Sequence, residues 1–217
     1  MWKKQIEYNR VLNVDCLDYM RSLPDKSFDL VLTDPPYGIN MCVCGTVGTS
    51  NLAKVKDYGP VTWDQKRPTK EVFTEILRVS KNQIFFGGNY FIDYLIPGTC
   101  WVVWDKKNGE NRFADFELVY TSFVGGNRIF RYRWAGMLQE GNSRFKEFRV
   151  HPTQKPVSFA FWLLNKFCLS GQTVFDPFAG SGTFLFASQC LGHPFVGCET
   201  DHKYVNIIKD RLKQTTL

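Results

Sequence analysis

The sequence lacks the apolar segments that mark membrane and secreted proteins. None of its 217 residues falls in a long uncharged stretch able to span a bilayer, and the N-terminus MWKKQIEYNR has no apolar signal-peptide core. The seven cysteines, an odd number, show no repeated C-x-x-C spacing, and the single C-x-C of Cys42 and Cys44 has no second Cys or His pair near it. We therefore expect a soluble, cytoplasmic protein with free thiols and no metal site.

The chain is also too short for two full domains. With 217 residues, 44% of them hydrophobic, it can bury one sizeable core, so we expect a single domain over residues 1–217. The formal charge of +6 is unevenly placed, because ten Lys or Arg stand against five Asp or Glu between Lys106 and Lys155. That segment is a candidate surface for phosphates, although an ordinary solvated basic face would have the same composition.

Strand and helix patterns alternate along the chain. Strands are predicted at residues 11–14, 28–33, 83–86, 99–104, 173–176 and 195–199, and helices at residues 15–25, 69–80, 156–167, 183–191 and 202–213. Residues 118–123 and 128–134 predict a hairpin across the glycines at 125 and 126, and residues 38–62 an active-site loop. The pattern predicts an α/β fold: a mostly parallel sheet with helices on both faces and an antiparallel hairpin at one edge.

The first strand end that carries chemistry is VFDPFAGSGTF, residues 174–184. A strand ends at Asp176, and Gly180 and Gly182 let a ligand approach the amides at the start of the next helix. Glu199 follows at the end of the next strand, where a carboxylate can accept hydrogen bonds from ribose hydroxyls. The pattern predicts a nucleoside site. It lacks the third glycine of the dinucleotide fingerprint and the Lys-Ser/Thr ending of the P-loop, which argues against NAD and ATP.

The second such strand end is LTDPPYG, residues 32–38. Pro35 and Pro36 each exclude the helical region for the residue before them, so the segment is held extended. Methylation of an aromatic amine needs acceptors at its two N–H groups, since they favour a pyramidal nitrogen able to attack. Asp34 and the Pro35 carbonyl can be those acceptors, and Tyr37 can stack on a base that has left the duplex. The alternative is a plain turn, which Pro-Pro alone would also support.

The order TDPPYG, then HPTQKP, then DPFAGSGTF resembles the amino-methyltransferases of DNA, and in particular their beta group. The resemblance covers nearly the whole chain. It implies a Rossmann-like methyltransferase fold, circularly permuted, with a catalytic half at 1–104, a basic hairpin region at 105–150 and a cofactor half at 151–217. It further implies S-adenosylmethionine as cofactor, DNA as partner, base flipping and direct transfer to N6 of adenine in a bacterial or phage-infected cell. Homodimers are common in the family, whereas a partner nuclease cannot be inferred from sequence.

The same resemblance implies roles for individual residues. The catalytic residues are Asp34, Pro35, Pro36 and Tyr37. The cofactor-binding residues are Asp15 and Cys16 at the adenine, Lys155 at the methionine carboxylate, Glu199 at the ribose, and Asp34, Asp176, Phe178, Gly180, Ser181 and Gly182 around them. No room remains for the separate target-recognition domain that family members usually carry. Specificity would then rest on the 38–62 loop and on three DNA-binding arginines of the hairpin, or be relaxed. They are Arg128, Arg131 and Arg133, with the last two on one strand face.

Three other functions fit parts of the pattern. N4-cytosine methylation uses the same geometry, although family members of that kind more often have Ser in place of Asp34. Methyltransferases of RNA or of protein amides usually carry N-P-P-Y after the glycine loop, and not before it. A non-catalytic DNA-binding subunit could retain the fold, but here both motifs are intact.

Overall fold

The fold is described by a computed structural model, which covers residues 6–40, 64–109, 114–135, 138–140, 147, 149–151 and 153–214. Most of the predicted active-site loop, with Cys42 and Cys44, lies outside these residues. In the described part of the chain, Cys16, Cys100, Cys168, Cys190 and Cys198 are free thiols, as expected. Within the same part, no helix is long and apolar enough to cross a membrane, and no cluster of potential ligands could hold a metal ion.

The elements follow the predicted alternation closely. The strands are β1 Arg10–Leu12, β2 Phe28–Thr33, β3 Ser80–Phe86, β4 Trp101–Asp105, β5 Phe116–Thr121, β6 Arg128–Arg131, β7 Trp134–Ala135, β8 Leu138–Gln139, β9 Val174–Asp176 and β10 Phe195–Cys198. The helices are α1 Cys16–Arg21, α2 Lys70–Val79, α3 Val157–Phe167, α4 Thr183–Cys190 and α5 His202–Lys213, with a short 3-10 helix at Gly88–Tyr90. Side chains fix two helix starts, because Asp15 Oδ1 and Asp201 Oδ1 accept hydrogen bonds from the amides of Leu17 and Lys203.

One sheet of eight strands carries the fold. Its order is β1-β10-β9-β2-β3-β5-β4-β6, and β7 and β8 form a separate pair. Every pairing in the large sheet is parallel except the two made by β5, which runs antiparallel to β3 and β4. The prediction of a mostly parallel sheet is confirmed. Because the strands other than β5 point the same way, their carboxyl ends meet at one edge.

Helices cover both faces of the sheet, as the sequence predicted. On one face, α1 and α2 pack through Met20, Phe73 and Ile76 against sheet residues such as Phe175. On the other, α3, α4 and α5 form a second core that includes Leu163, with Phe184, Leu185 and Ile208 among its members. Central strands are buried on both faces, which is why they read as continuous apolar runs and not as alternating ones.

The predicted hairpin between residues 118–123 and 128–134 is wrong. β5 pairs with β3 and β4, so both of its edges are already used, and β6 pairs parallel to β4 on the other side of that strand. Side-chain contacts fix the crossing between β5 and β6: Asn127 Oδ1 accepts a hydrogen bond from the Trp101 amide at 2.9 Å, and Thr99 Oγ1 accepts one from the Gly125 amide at 3.2 Å. The glycines therefore carry the chain over the start of β4 and do not form a hairpin turn. The antiparallel hairpin of this region consists of β4 and β5, inside the sheet.

Candidate active site

A cavity of about 590 Å³ opens at the carboxyl edge of the sheet. Its walls come from the segments that follow β1, β2, β9 and β10, which is where a parallel sheet binds its ligands. Eight of the ten predicted cofactor residues line it: Asp15, Cys16, Asp34, Lys155, Phe178, Gly180, Ser181 and Glu199. The fold thus brings together residues from both ends of the chain, and the volume is in the roughly 300–1,000 Å³ range of small-molecule sites.

The glycine loop and Glu199 hold each other in place at one side of the cavity. The Gly180 amide donates to Glu199 Oε2 at 2.8 Å, and the Asp201 amide donates to Oε1 at 2.8 Å. Burial raises the pKa of Glu199, while these backbone donors oppose that shift. The carboxylate is therefore fixed in orientation and keeps lone pairs that can accept hydrogen bonds from a ligand.

Two predicted cofactor residues do not line the cavity. The carboxylate of Asp176 is fully buried, where Oδ1 accepts hydrogen bonds from Thr33 Oγ1 at 2.6 Å and the Phe178 amide at 3.1 Å. Burial raises the pKa of Asp176 to about 7. Gly182 caps α4 with φ 75°, and a Cβ there would lie 2.9 Å from Ile208 of α5. Asp176 therefore stabilises the glycine loop through hydrogen bonds, and Gly182 allows α4 to pack closely against α5.

At the cavity's other side, Asp34 and Tyr37 form a small network. The Tyr37 hydroxyl donates to Asp34 Oδ1 at 2.7 Å. The Tyr37 ring stacks on Tyr90, with centroids 4.7 Å apart and planes 16° from parallel. Gly87 makes room for the ring, because a Cβ there would lie 2.3 Å from it. Gly87 and Tyr90 follow β3, and no signal in the sequence alone indicates that they meet the Asp-Pro-Pro-Tyr segment.

Lys155 is buried between two carboxylates. Its Nζ lies 2.8 Å from Asp34 Oδ2 and 3.5 Å from Glu117 Oε2, and 7% of the side chain is exposed. Glu117 belongs to β5, and its Oε1 pairs with Lys106 Nζ at 2.8 Å. The sequence prediction named neither Glu117 nor Lys106. The signal was a single charge in the otherwise apolar start of FELVYT.

The charges of this group shift one another's ionisation. Burial raises the pKa of Asp34, and the attraction of Lys155 only partly offsets it. For Glu117, burial also acts to raise the pKa, but the ammonium groups of Lys155 and Lys106 outweigh it and the pKa is lowered. Burial would lower the pKa of Lys155, yet Asp34 and Glu117 together raise it. Lys155 therefore stays positively charged despite its burial.

The three predicted DNA-binding arginines do not lie together. Arg131 ends β6 at the carboxyl edge, 3.5 Å from Asp105, and Arg133 follows beyond the strand, where its Nε donates to the Lys107 carbonyl at 3.3 Å. Arg128 begins β6 and so lies at the opposite end of that strand. All three are exposed. The predicted shared strand face of Arg131 and Arg133 is wrong, because β6 stops at Arg131.

Comparison with known proteins gives relatives along most of the chain. The model of a family described as DNA methylase matches residues 65–210. Type II methyltransferase M.HinfI of Haemophilus influenzae is 26% identical over 251 residues, covering 95% of this chain and 68% of that protein. TTHA0409 of Thermus thermophilus, assigned as a DNA modification methylase and solved with S-adenosyl-L-methionine, shares 19% identity, with 95% of both chains covered and a TM-score of 0.58. The cytosine-N4-specific PvuII DNA methyltransferase gives a TM-score of 0.62 at 12% identity, covering 97% of this chain and 92% of that chain.

Proposed function

The chain belongs to the DNA methylase family that modifies N6 or N4 amines, and from that membership we propose that it transfers a methyl group from S-adenosylmethionine to the N6 amine of adenine in DNA. One observation carries the proposal: the Asp34 carboxylate and the Glu199 carboxylate line the same cavity. The first suits an amine at the end of β2, and the second suits ribose hydroxyls at the end of β10. The target amine and the nucleoside part of the cofactor would therefore bind next to each other.

The residues of the cavity fit this cofactor. A nucleoside needs acceptors for its hydroxyls and a surface for its base, which Glu199, Phe178 and the segment at Asp15 offer. Among the described residues, a Cβ at Gly180 would meet the Phe178 carbonyl at an ordinary contact distance of 3.9 Å and no closer atom, so the loop leaves its backbone uncrowded. When bound, S-adenosylmethionine supplies a methyl carbon on sulfonium: the amine nitrogen bonds to that carbon as the carbon–sulfur bond breaks, with its electron pair left on sulfur.

Asp34 has the geometry to hold the amine during this step. Its two oxygens face Tyr37 and Lys155, and exchange of one partner for the amine N–H gives the hydrogen bond that favours a pyramidal nitrogen. The methylated nitrogen must lose one proton, and the Asp34 carboxylate can receive it, since burial raises the pKa of that group. Tyr37 offers its ring to the base, a contact worth roughly 1–3 kcal/mol.

The choice of adenine over cytosine rests on Asp34. In the family resemblance, Ser stands more often at this position in N4-cytosine enzymes, whereas this chain has Asp. For the DNA backbone, Arg131 and Arg133 at the carboxyl edge are the proposed contacts, and Arg128 is the weaker candidate because it lies at the far end of β6.

The experiment is methylation by the purified protein, followed by digestion of the DNA to nucleosides and mass spectrometry. We expect N6-methyladenine from wild type with S-adenosylmethionine, and none from Asp34→Ala at equal concentration. N4-methylcytosine would move the assignment to cytosine and leave the rest intact. Modification of neither base would contradict the proposal.

A further inference from the structure

Each oxygen of Asp34 has a partner within the protein. Oδ1 accepts the hydrogen bond of Tyr37, and Oδ2 pairs with Lys155 at 2.8 Å. Each oxygen keeps a lone pair, but an oxygen that is already paired with an ammonium group at 2.8 Å accepts a further hydrogen bond from an incoming amine less strongly than one that is free of it. Because Tyr37 is tied to Asp34 within one short rigid segment, the partner that can leave is Lys155, which comes from a distant part of the chain.

A second place for the Lys155 ammonium group is already present. Glu117 Oε2 lies 3.5 Å from Nζ, within ion-pair range but beyond the usual N–H···O distance. That oxygen is buried and makes no hydrogen bond to any described residue. A short movement of Nζ would exchange the contact with Asp34 for one with Glu117 Oε2, so that Lys155 remains paired with a carboxylate.

Glu117 is held ready for this exchange. Its other oxygen, Oε1, is fixed by Lys106 at 2.8 Å, and the backbone of β5 is anchored between β3 and β4. The pair of lysines keeps Glu117 ionised, as its lowered pKa indicates. A buried ammonium group left without a carboxylate is strongly destabilising, and Glu117 is the negative charge that the protein itself places beside Lys155 when it leaves Asp34.

We propose that Glu117 is a positioning residue that receives the Lys155 ammonium group and so frees Asp34 Oδ2 to accept the target amine. The inference rests on the proposed methyl transfer. It assigns a role to a residue outside the three sequence motifs, acting through Lys155 and not on the substrate.

The test compares Glu117→Gln with Asp29→Asn. Both changes convert a carboxylate to an amide of the same shape, both side chains are 20% exposed, and the lysine partners lie at 2.8 and 2.7 Å. Asp29 lies at the amino end of β2, where it also binds Thr173, away from the cavity. The control therefore reproduces the loss of a part-buried ion pair without touching Lys155.

Steady-state methylation, calorimetry with S-adenosylmethionine, thermal unfolding and the pH dependence of kcat are measured for each protein. We expect Glu117→Gln to lower kcat by about tenfold or more, with cofactor Kd within about threefold of wild type. On the acid side of its pH profile, the pH at which kcat falls to half of its maximum should be lower than in wild type. The groups facing Asp34 are Lys155, Glu117, Tyr37 and Asp176, and removal of the negative charge of Glu117 lowers the pKa of Asp34.

Asp29→Asn should lower the unfolding temperature only. Its kcat and the acid side of its pH profile should match those of wild type. If Glu117→Gln does not fold, the double variant Glu117→Gln with Lys106→Met removes the part-buried pair as a unit and should show the same loss of kcat. Wild-type kcat and an unchanged acid side of the pH profile in the folded Glu117 variant would overturn the inference. An inactive wild type would instead overturn the proposed function itself.

Discussion

Replacing Gly87 by alanine should disable Tyr37 without touching the cofactor site. Gly87 follows β3 with φ 61°, and a Cβ there would lie 2.3, 2.4 and 2.9 Å from three atoms of the Tyr37 ring. Contacts this short do not occur, so the ring must move by an ångström or so, because the backbone of Gly87 is anchored beside β3. The hydroxyl bond to Asp34 at 2.7 Å and the stack on Tyr90 are then both broken.

The expected cost follows from what the ring does for the base. Stacking of a base on an aromatic side chain is worth roughly 1–3 kcal/mol, which corresponds to a loss of about 5- to 150-fold in kcat/KM for DNA. The Kd for S-adenosylmethionine should stay within a few fold of wild type, since Gly87 and Tyr37 do not line the cavity. Initial rates over a range of DNA concentrations, with calorimetry for the cofactor, measure both quantities.

Gly171→Ala is the matched control. Its φ of 79° imposes the same left-handed strain, about 1–2 kcal/mol, but a Cβ there would meet nothing within 4 Å. Both variants should therefore unfold at lower temperature, and only Gly87→Ala should lose kcat/KM. Equal kcat/KM in the two variants would show that the ring accommodates the extra methyl group, and the reasoning about Tyr37 would be refuted.

Three further changes test the other parts of the site. Asp34→Ala should reduce methyl transfer below detection while cofactor affinity stays within a few fold, because Lys155 keeps Glu117 as its partner; turnover at the wild-type rate would contradict the catalytic assignment. Glu199→Ala should weaken cofactor binding by roughly 1.5–3 kcal/mol, the value of a charge-assisted hydrogen bond, and calorimetry showing unchanged affinity would refute it. Arg131→Ala and Arg133→Ala should each lower the slope of log affinity for DNA against log salt by about one unit, with cofactor affinity unchanged; titrations that superimpose on wild type would place the DNA surface elsewhere.

Much of the fold could be predicted because each strand and helix is determined mainly by its own local sequence. Apolar runs that end in Gly or Pro mark the strands, and the helix patterns between them gave starts and ends within a few residues of those observed. The order of the strands in the sheet could not be predicted in this way. Nothing in residues 116–131 says that β4 lies between β5 and β6, because the choice depends on which strand edges remain free and on contacts such as Asn127 with Trp101. The circular permutation and the division into halves stay predictions.

The candidate site divides in the same way. Its motifs were visible because each one combines a strand end with residues of unusual conformation or charge, and the fold places eight of their ten cofactor residues around one cavity. The partners of those residues were not visible. Lys155 and Asp34 are far apart in sequence, and the contact between them depends on how α3 packs on the sheet, where Phe159 contacts Phe86, Trp104 and Phe130.

The balance of charge explains why a lysine can be buried at this position at all. Lys106, Glu117, Lys155 and Asp34 alternate in sign along a chain of contacts of 2.8, 3.5 and 2.8 Å, so the group as a whole carries no net charge. Removing one partner of a buried ion pair is destabilising because the other charge is left unpaired. In a row of four alternating charges, by contrast, a lysine that leaves one carboxylate can still pair with the other. Movement of the Lys155 ammonium group toward Glu117 keeps both lysines paired and leaves Asp34 Oδ2 to the target amine. A row of this kind therefore permits Asp34 to change partners during a reaction, whereas an isolated Lys155–Asp34 pair could not separate without leaving Lys155 unpaired.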